Sequence, residues 1–94
     1  MTPASDPARK RLLMRSWRRG MREMDLLLGP FAEAELATMD GPTLDIYARM
    51  LEENDQDLYA WIIAKSRGET GCPAPYAGLI ARISAAASDR IGKN

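Results

Sequence analysis

The chain predicts an all-α fold, a compact irregular bundle of about five short helices, and three observations carry that reading. Apolar residues recur at steps of three and four, with none of the alternation of a half-buried strand and no heptad or longer repeat. Capping residues, prolines and glycines punctuate these runs at short intervals. The 94 residues suffice for one core, but a chain this short buries only about 60–65% of its unfolded surface and cannot build four long helices. Residues 1–94 are therefore read as a single helical domain, with 1–5 and 92–94 as loose tails.

The elements follow in order. Asp6-Pro7 reads as an N-cap followed by proline at the first helical position, and Ala8, Leu12 and the Met14/Trp17 pair continue a first helix as far as Arg19. Gly20 interrupts it. Met21, Met24, Leu28 and Phe31, with Leu27 beside them, form the stripe of a second helix that Gly29-Pro30 should bend or break near its end. Asp40-Gly41-Pro42-Thr43 starts a third, with Leu44, Tyr47 and Leu51 in one apolar row and Ile46 and Met50 in another. Asn54 or Asp55 can cap a fourth, whose Leu58, Trp61 and Ile62 face inward and whose Lys65, Arg67 and Gly68 suit a C-terminus. The breaker-rich loop of residues 68–75 precedes a fifth helix carrying Leu79, Ile80, Ile83 and Ala87, rich in alanine up to Gly92.

Composition excludes much chemistry. The chain has no histidine, which removes the usual general base, the Ser–His and Cys–His nucleophile pairs and the commonest metal ligand together. Its one cysteine, Cys72, allows no internal disulfide and no zinc or iron–sulfur site, and is read as incidental. Glu53, Asn54, Asp55 and Asp57 lack the glycine and distal glutamate of a calcium loop, so capping explains them better. No apolar run approaches the roughly 20 residues that span a bilayer, so no membrane insertion is expected. The formal net charge of zero hides a separation. Arg9, Lys10, Arg11, Arg15, Arg18, Arg19 and Arg22 crowd one stretch, while Asp40, Asp45, Glu52, Glu53, Asp55 and Asp57 gather in the middle. A dipolar surface suits a protein partner.

The least ordinary stretch is Arg18-Arg19-Gly20-Met21-Arg22-Glu23-Met24-Asp25, a helix break surrounded by long charged side chains. Glycine lacks a Cβ, so another surface can approach its backbone closely. If helical geometry persists through the break, Arg19 and Glu23 share one face at i and i+4, with Arg15 and Arg22 on neighbouring rows. That pair could grip a polar partner or merely satisfy itself as a solvated salt bridge.

This octet resembles the Arg-Gly-x-x-Glu signature of the FAD assembly factors of succinate dehydrogenase. Pro30-Phe31 and the segment Met50-Leu51-Glu52-Glu53-Asn54-Asp55-Gln56-Asp57-Leu58-Tyr59-Ala60-Trp61-Ile62 agree with the same family, so the resemblance covers about residues 10–65. It implies a factor that is no enzyme and has no cofactor of its own. Such a factor binds the flavoprotein subunit of succinate dehydrogenase, or of a related fumarate reductase, and promotes covalent attachment of FAD to that client. Arg19, Gly20 and Glu23 then take the signature roles, and Arg18, Arg22 and Asp25 extend the partner-binding patch. The lone thiol and the lack of an evident presequence suggest a bacterial cytoplasmic protein; the alternative, that the arginine-rich start is a mitochondrial transit peptide, conflicts with its capping signals.

Three further readings compete. The basic first helix could bind nucleic acid or an anionic surface, but the acidic middle and the absence of a recognisable nucleic-acid module oppose it. The chain could carry FAD itself, yet it has no Gly-x-Gly-x-x-Gly. Tyr47 and Trp61 at helical spacing are read as core residues rather than interface anchors, and Trp17 stays open between the two.

Overall fold

The computed structural model describes residues 6–69 and 71–92, excepting the side chains of Asp6 and of residues 89–92. Five α-helices are found among them and no strand: α1 Asp6–Trp17, α2 Arg22–Glu35, α3 Gly41–Met50, α4 Asp55–Ser66 and α5 Ala77–Gly92. The all-helical, five-helix expectation holds. The cap expected from Asp6 and the tail residues 1–5, 93 and 94 lie outside the described residues, whereas Gly92, assigned to a tail, closes α5.

One core joins the helices. α2 supplies Met24, Leu28 and Phe31, α3 supplies Leu44, Tyr47 and Met50 with Leu51 just beyond it, α4 supplies Leu58 and Ile62, and α5 supplies Leu79, Ile80 and Ile83. Fully burying side chains of this size stabilises by about 1.5–3 kcal/mol each. The Phe31 and Tyr47 rings meet near its centre at 6.1 Å. Trp61, expected to face inward, is only half-buried and stacks obliquely on Tyr76 at 6.1 Å.

Several local signals act as read. Asp40 caps α3 by accepting from the Thr43 N–H at 2.8 Å, and hydrogen bonds from Thr43 hold its carboxyl below the usual range. Asn54, not Asp55, caps α4. Gly68 leaves α4 with φ +78°, a conformation that favours glycine.

Three expectations need correction. α2 runs unbroken through Gly29-Pro30, because Phe31 and Ala32 beyond the proline are buried and hold the last turn down. Gly29 has a packing role instead, since a Cβ there would lie 2.4–2.6 Å from the Trp17 ring that rests on it. α1 buries Leu12 as read but adds Ser16, while Met14 of the expected stripe is exposed, as is Trp17, which the sequence leaves open. The reason is polar: Ser16 Oγ donates to Leu12 O at 2.8 Å and lies 2.6 Å from Tyr47 Oη, so its single proton is spent and the phenol donates to it. Lastly, 3₁₀ turns at Leu36–Thr38 and Ala74–Tyr76 had no sequence signal. Arg9 supports the first by donating to Leu36 O at 2.8 Å and Met39 O at 2.6 Å.

Candidate functional site

α1 stops at Trp17, two residues short of the expected end. Gly20 then turns the chain with φ +76°, so the helix does not persist through the break and Arg19 and Glu23 do not form an i,i+4 pair. Met21 precedes α2 in extended conformation without a side-chain cap. Asp25, in the first turn of α2, reaches back across the turn instead and accepts from the Arg19 backbone N–H at 2.7 Å.

The Arg19 side chain turns inward. Its Nε donates to Asp55 Oδ1 at 2.7 Å, Nη1 to Leu51 O at 2.7 Å and Nη2 to Glu53 O at 3.1 Å. Only 10% of the side chain is exposed, against 23% for Asp55. This three-acceptor fork ties the α1–α2 turn to the α3–α4 turn. Of the six residues singled out by sequence, Arg19 and Asp25 are thus engaged within the chain, whereas Arg18, Gly20, Arg22 and Glu23 are exposed. Nothing lies within 4 Å of where a Gly20 Cβ would be.

The clamp also brings together what sequence reasoning kept apart. Gly20 and Met21 share an open hollow with Asn54, Asp55 and Gln56, so the signature octet and the acidic segment form one surface. Asn54 and Gln56 were not anticipated there. The available signal was the choice of caps: once Asn54 Oδ1 accepts from Gln56 N at 2.7 Å, the Asp55 carboxylate is left for an arginine.

The basic stretch is less uniform than its composition. Arg9 is spent on carbonyls, Arg15 pairs with Glu52 at 2.6 Å and Arg19 with Asp55 at 2.7 Å. Among the described residues, Lys10, Arg11, Arg18 and Arg22 form no ion pair. Behind the site, burial pushes the Tyr47 phenol up to about 12, and the hydrogen bond from Tyr76 to Glu53, 2.8 Å long, raises the Tyr76 phenol.

Comparison with known proteins bears on this surface. A family model described as Sdh5, flavinator of succinate dehydrogenase, matches residues 10–87. The chain belongs to that family. Succinate dehydrogenase assembly factor 2, mitochondrial, of Aspergillus terreus is 47% identical over 66 residues, 70% of this chain and 22% of that protein. Its counterpart in Candida glabrata is 44% identical over 57 residues, 61% of this chain and 37% of that protein. FAD assembly factor SdhE of Pseudomonas putida is 36% identical over 52 residues, 55% of this chain and 62% of that protein. The chain therefore spans less than two thirds of these curated relatives. No solved structure matches it.

These relatives correct the bacterial cytoplasmic placement expected from sequence, since the fungal members of the Sdh5 family are named as mitochondrial proteins. No helix among the described residues is long and apolar enough to cross a membrane.

Proposed function

We propose that this chain binds the flavoprotein subunit of succinate dehydrogenase through the Gly20 turn and promotes covalent attachment of FAD to it, acting by holding its client rather than by reacting. The observation that supports this most is the turn itself. A backbone glycine stands open to solvent, its left-handed conformation fixed from behind by Arg19 and Asp25, with Arg18, Arg22 and Glu23 exposed around it. Membership of the Sdh5 family supports the same reading.

Arg18, Gly20, Arg22 and Glu23 make the contacts in this reading, while Arg19 and Asp25 shape the surface that makes them. The chain has no histidine to contribute, so in this reading flavin and linking residue both belong to the client. Docking favours a client conformation in which those two groups are held in reactive geometry. The nucleic-acid reading gains no support, because three of the seven clustered cations are engaged within the chain.

The test is covalent flavin formed by the purified flavoprotein subunit with FAD, alone and with wild type, Gly20→Arg or Glu23→Ala. Wild type should stimulate, Gly20→Arg should fall to the level without factor, and Glu23→Ala should lie between. Equal stimulation by all three defeats the proposal. Both positions are exposed, and a native helical spectrum for each variant separates lost docking from lost folding.

A further inference from the structure

Three large apolar side chains are exposed among the described residues: Met14 at 51%, Trp17 at 37% and Leu26 at 53%. Scattered exposed hydrophobes need no explanation, but these three are linked through one contact between α1 and α2. The Trp17 ring rests on Gly29. Leu26 precedes Gly29 by one helical turn on the same face of α2, and Met14 precedes Trp17 by one turn on α1. Helical spacing thus sets Met14 and Leu26 on either side of the Trp17–Gly29 contact.

The α1–α2 seam is preordered at Trp17 and ringed by charge. Trp17 Nε1 donates to Glu33 Oε2 at 2.8 Å, and the missing Gly29 Cβ gives its ring a seat, so little freedom remains to be lost on binding. Arg18 stands one turn beyond Met14 and Arg22 one turn before Leu26, both exposed and without an ion pair among the described residues. An aromatic anchor with aliphatic neighbours inside a polar rim is the arrangement of an interface hot spot. Positive flanks fit carboxylates on the other side. A phosphate array would use the arginines but gain nothing from Met14 and Leu26.

Resting on the reading above, we propose that Met14, Trp17 and Leu26, flanked by Arg18 and Arg22, are a second docking surface contiguous with the Gly20 turn. It takes an apolar, acid-rimmed patch of the flavoprotein subunit. Neither Met14, Trp17 nor Leu26 belongs to the octet or to the acidic segment beyond it, apart from the position of Leu26 directly after Asp25.

The experiment measures binding of the purified flavoprotein subunit to the full chain by interferometry. Leu26→Asp and Met14→Asp probe the seam, Arg18→Gln/Arg22→Gln its rim, and Gly20→Arg the turn. Each seam variant should weaken binding about tenfold or more, and the double glutamine variant should flatten its salt dependence. Wild-type affinity in both seam variants overturns the second surface, and loss in Gly20→Arg then leaves the turn as the docking site. Weakening in the seam variants with Gly20→Arg unaffected supports the seam and removes the turn. No binding by wild type removes both. Duplex DNA bound through the same arginines, indifferent to Leu26→Asp, also overturns the seam.

Discussion

Two turns stand side by side in this molecule and are built by different means. The α3–α4 turn is made locally: the backbone N–H groups of Glu52 and Glu53 donate to Arg49 O and Met50 O, each at 3.0 Å, and Asn54 caps the next helix with its own side chain. The α1–α2 turn draws less on its own residues. Its glycine is left-handed, its N-cap Met21 has no side-chain acceptor, and besides the local bond from the Arg19 N–H to Asp25 its guanidinium is anchored 36 residues away on Asp55. The first kind of turn is coded by its own residues, and the second is shaped by a neighbour. The exposed Gly20 backbone therefore owes its presentation to a segment distant in sequence.

The harshest test of that contrast is Arg19→Ala. It strips a half-buried carboxylate of its counter-ion and two carbonyls of their donor, and should cost about 3 kcal/mol in urea denaturation. Arg19→Lys should recover less than half, because an ammonium cannot reproduce the planar fork that serves Asp55, Leu51 and Glu53 together. A loss under about 0.5 kcal/mol, the scale of an ordinary surface substitution, would mean that the α1–α2 turn stands unaided.

A second pin lies behind the turns, where the Tyr47 phenol donates to Ser16 and couples α3 to α1. Burial raises this phenol from the ordinary 10 to about 12, so the native state favours its protonated form. The associated stability is fully present below pH 10 and is lost as pH rises towards 12. Over that window the loss should approach about 2–3 kcal/mol. Tyr47→Phe should keep only the smaller share that comes from Tyr76, whose phenol is also raised. Identical slopes in both proteins, from denaturation at successive alkaline pH values, would show that the pin does not hold the helices.

What was legible in the sequence follows the same division. Asp40, Asn54 and Gly68 act within a turn of themselves, and their roles could be read from spacing. So could the stripe Met24, Leu28 and Phe31, whose burial follows from helical period alone. Ser16 could not, because its burial depends on Tyr47 Oη arriving from 31 residues away. Gly29 looked like a helix breaker and is a seat for Trp17. In the octet, the glycine and the exposed charges were visible, but which arginine turns inward was not, since that is decided by an aspartate on another helix.

The smallest effect is expected at the local turn. Asn54→Ala removes two acceptor contacts, to Gln56 N at 2.7 Å and Asp57 N at 3.3 Å, and should cost about 1 kcal/mol, the usual worth of an N-cap. Its bonds are not those of Arg19, so Asn54→Ala and Arg19→Ala combined should add to within about 0.5 kcal/mol. Asp55→Ala, by contrast, shares a bond with Arg19 and should be strongly non-additive with Arg19→Ala. Coupling above about 1 kcal/mol between Asn54 and Arg19 would show that the cap keeps its place only while the clamp is closed. The α3–α4 turn would then lean on its neighbour as much as its neighbour leans on it.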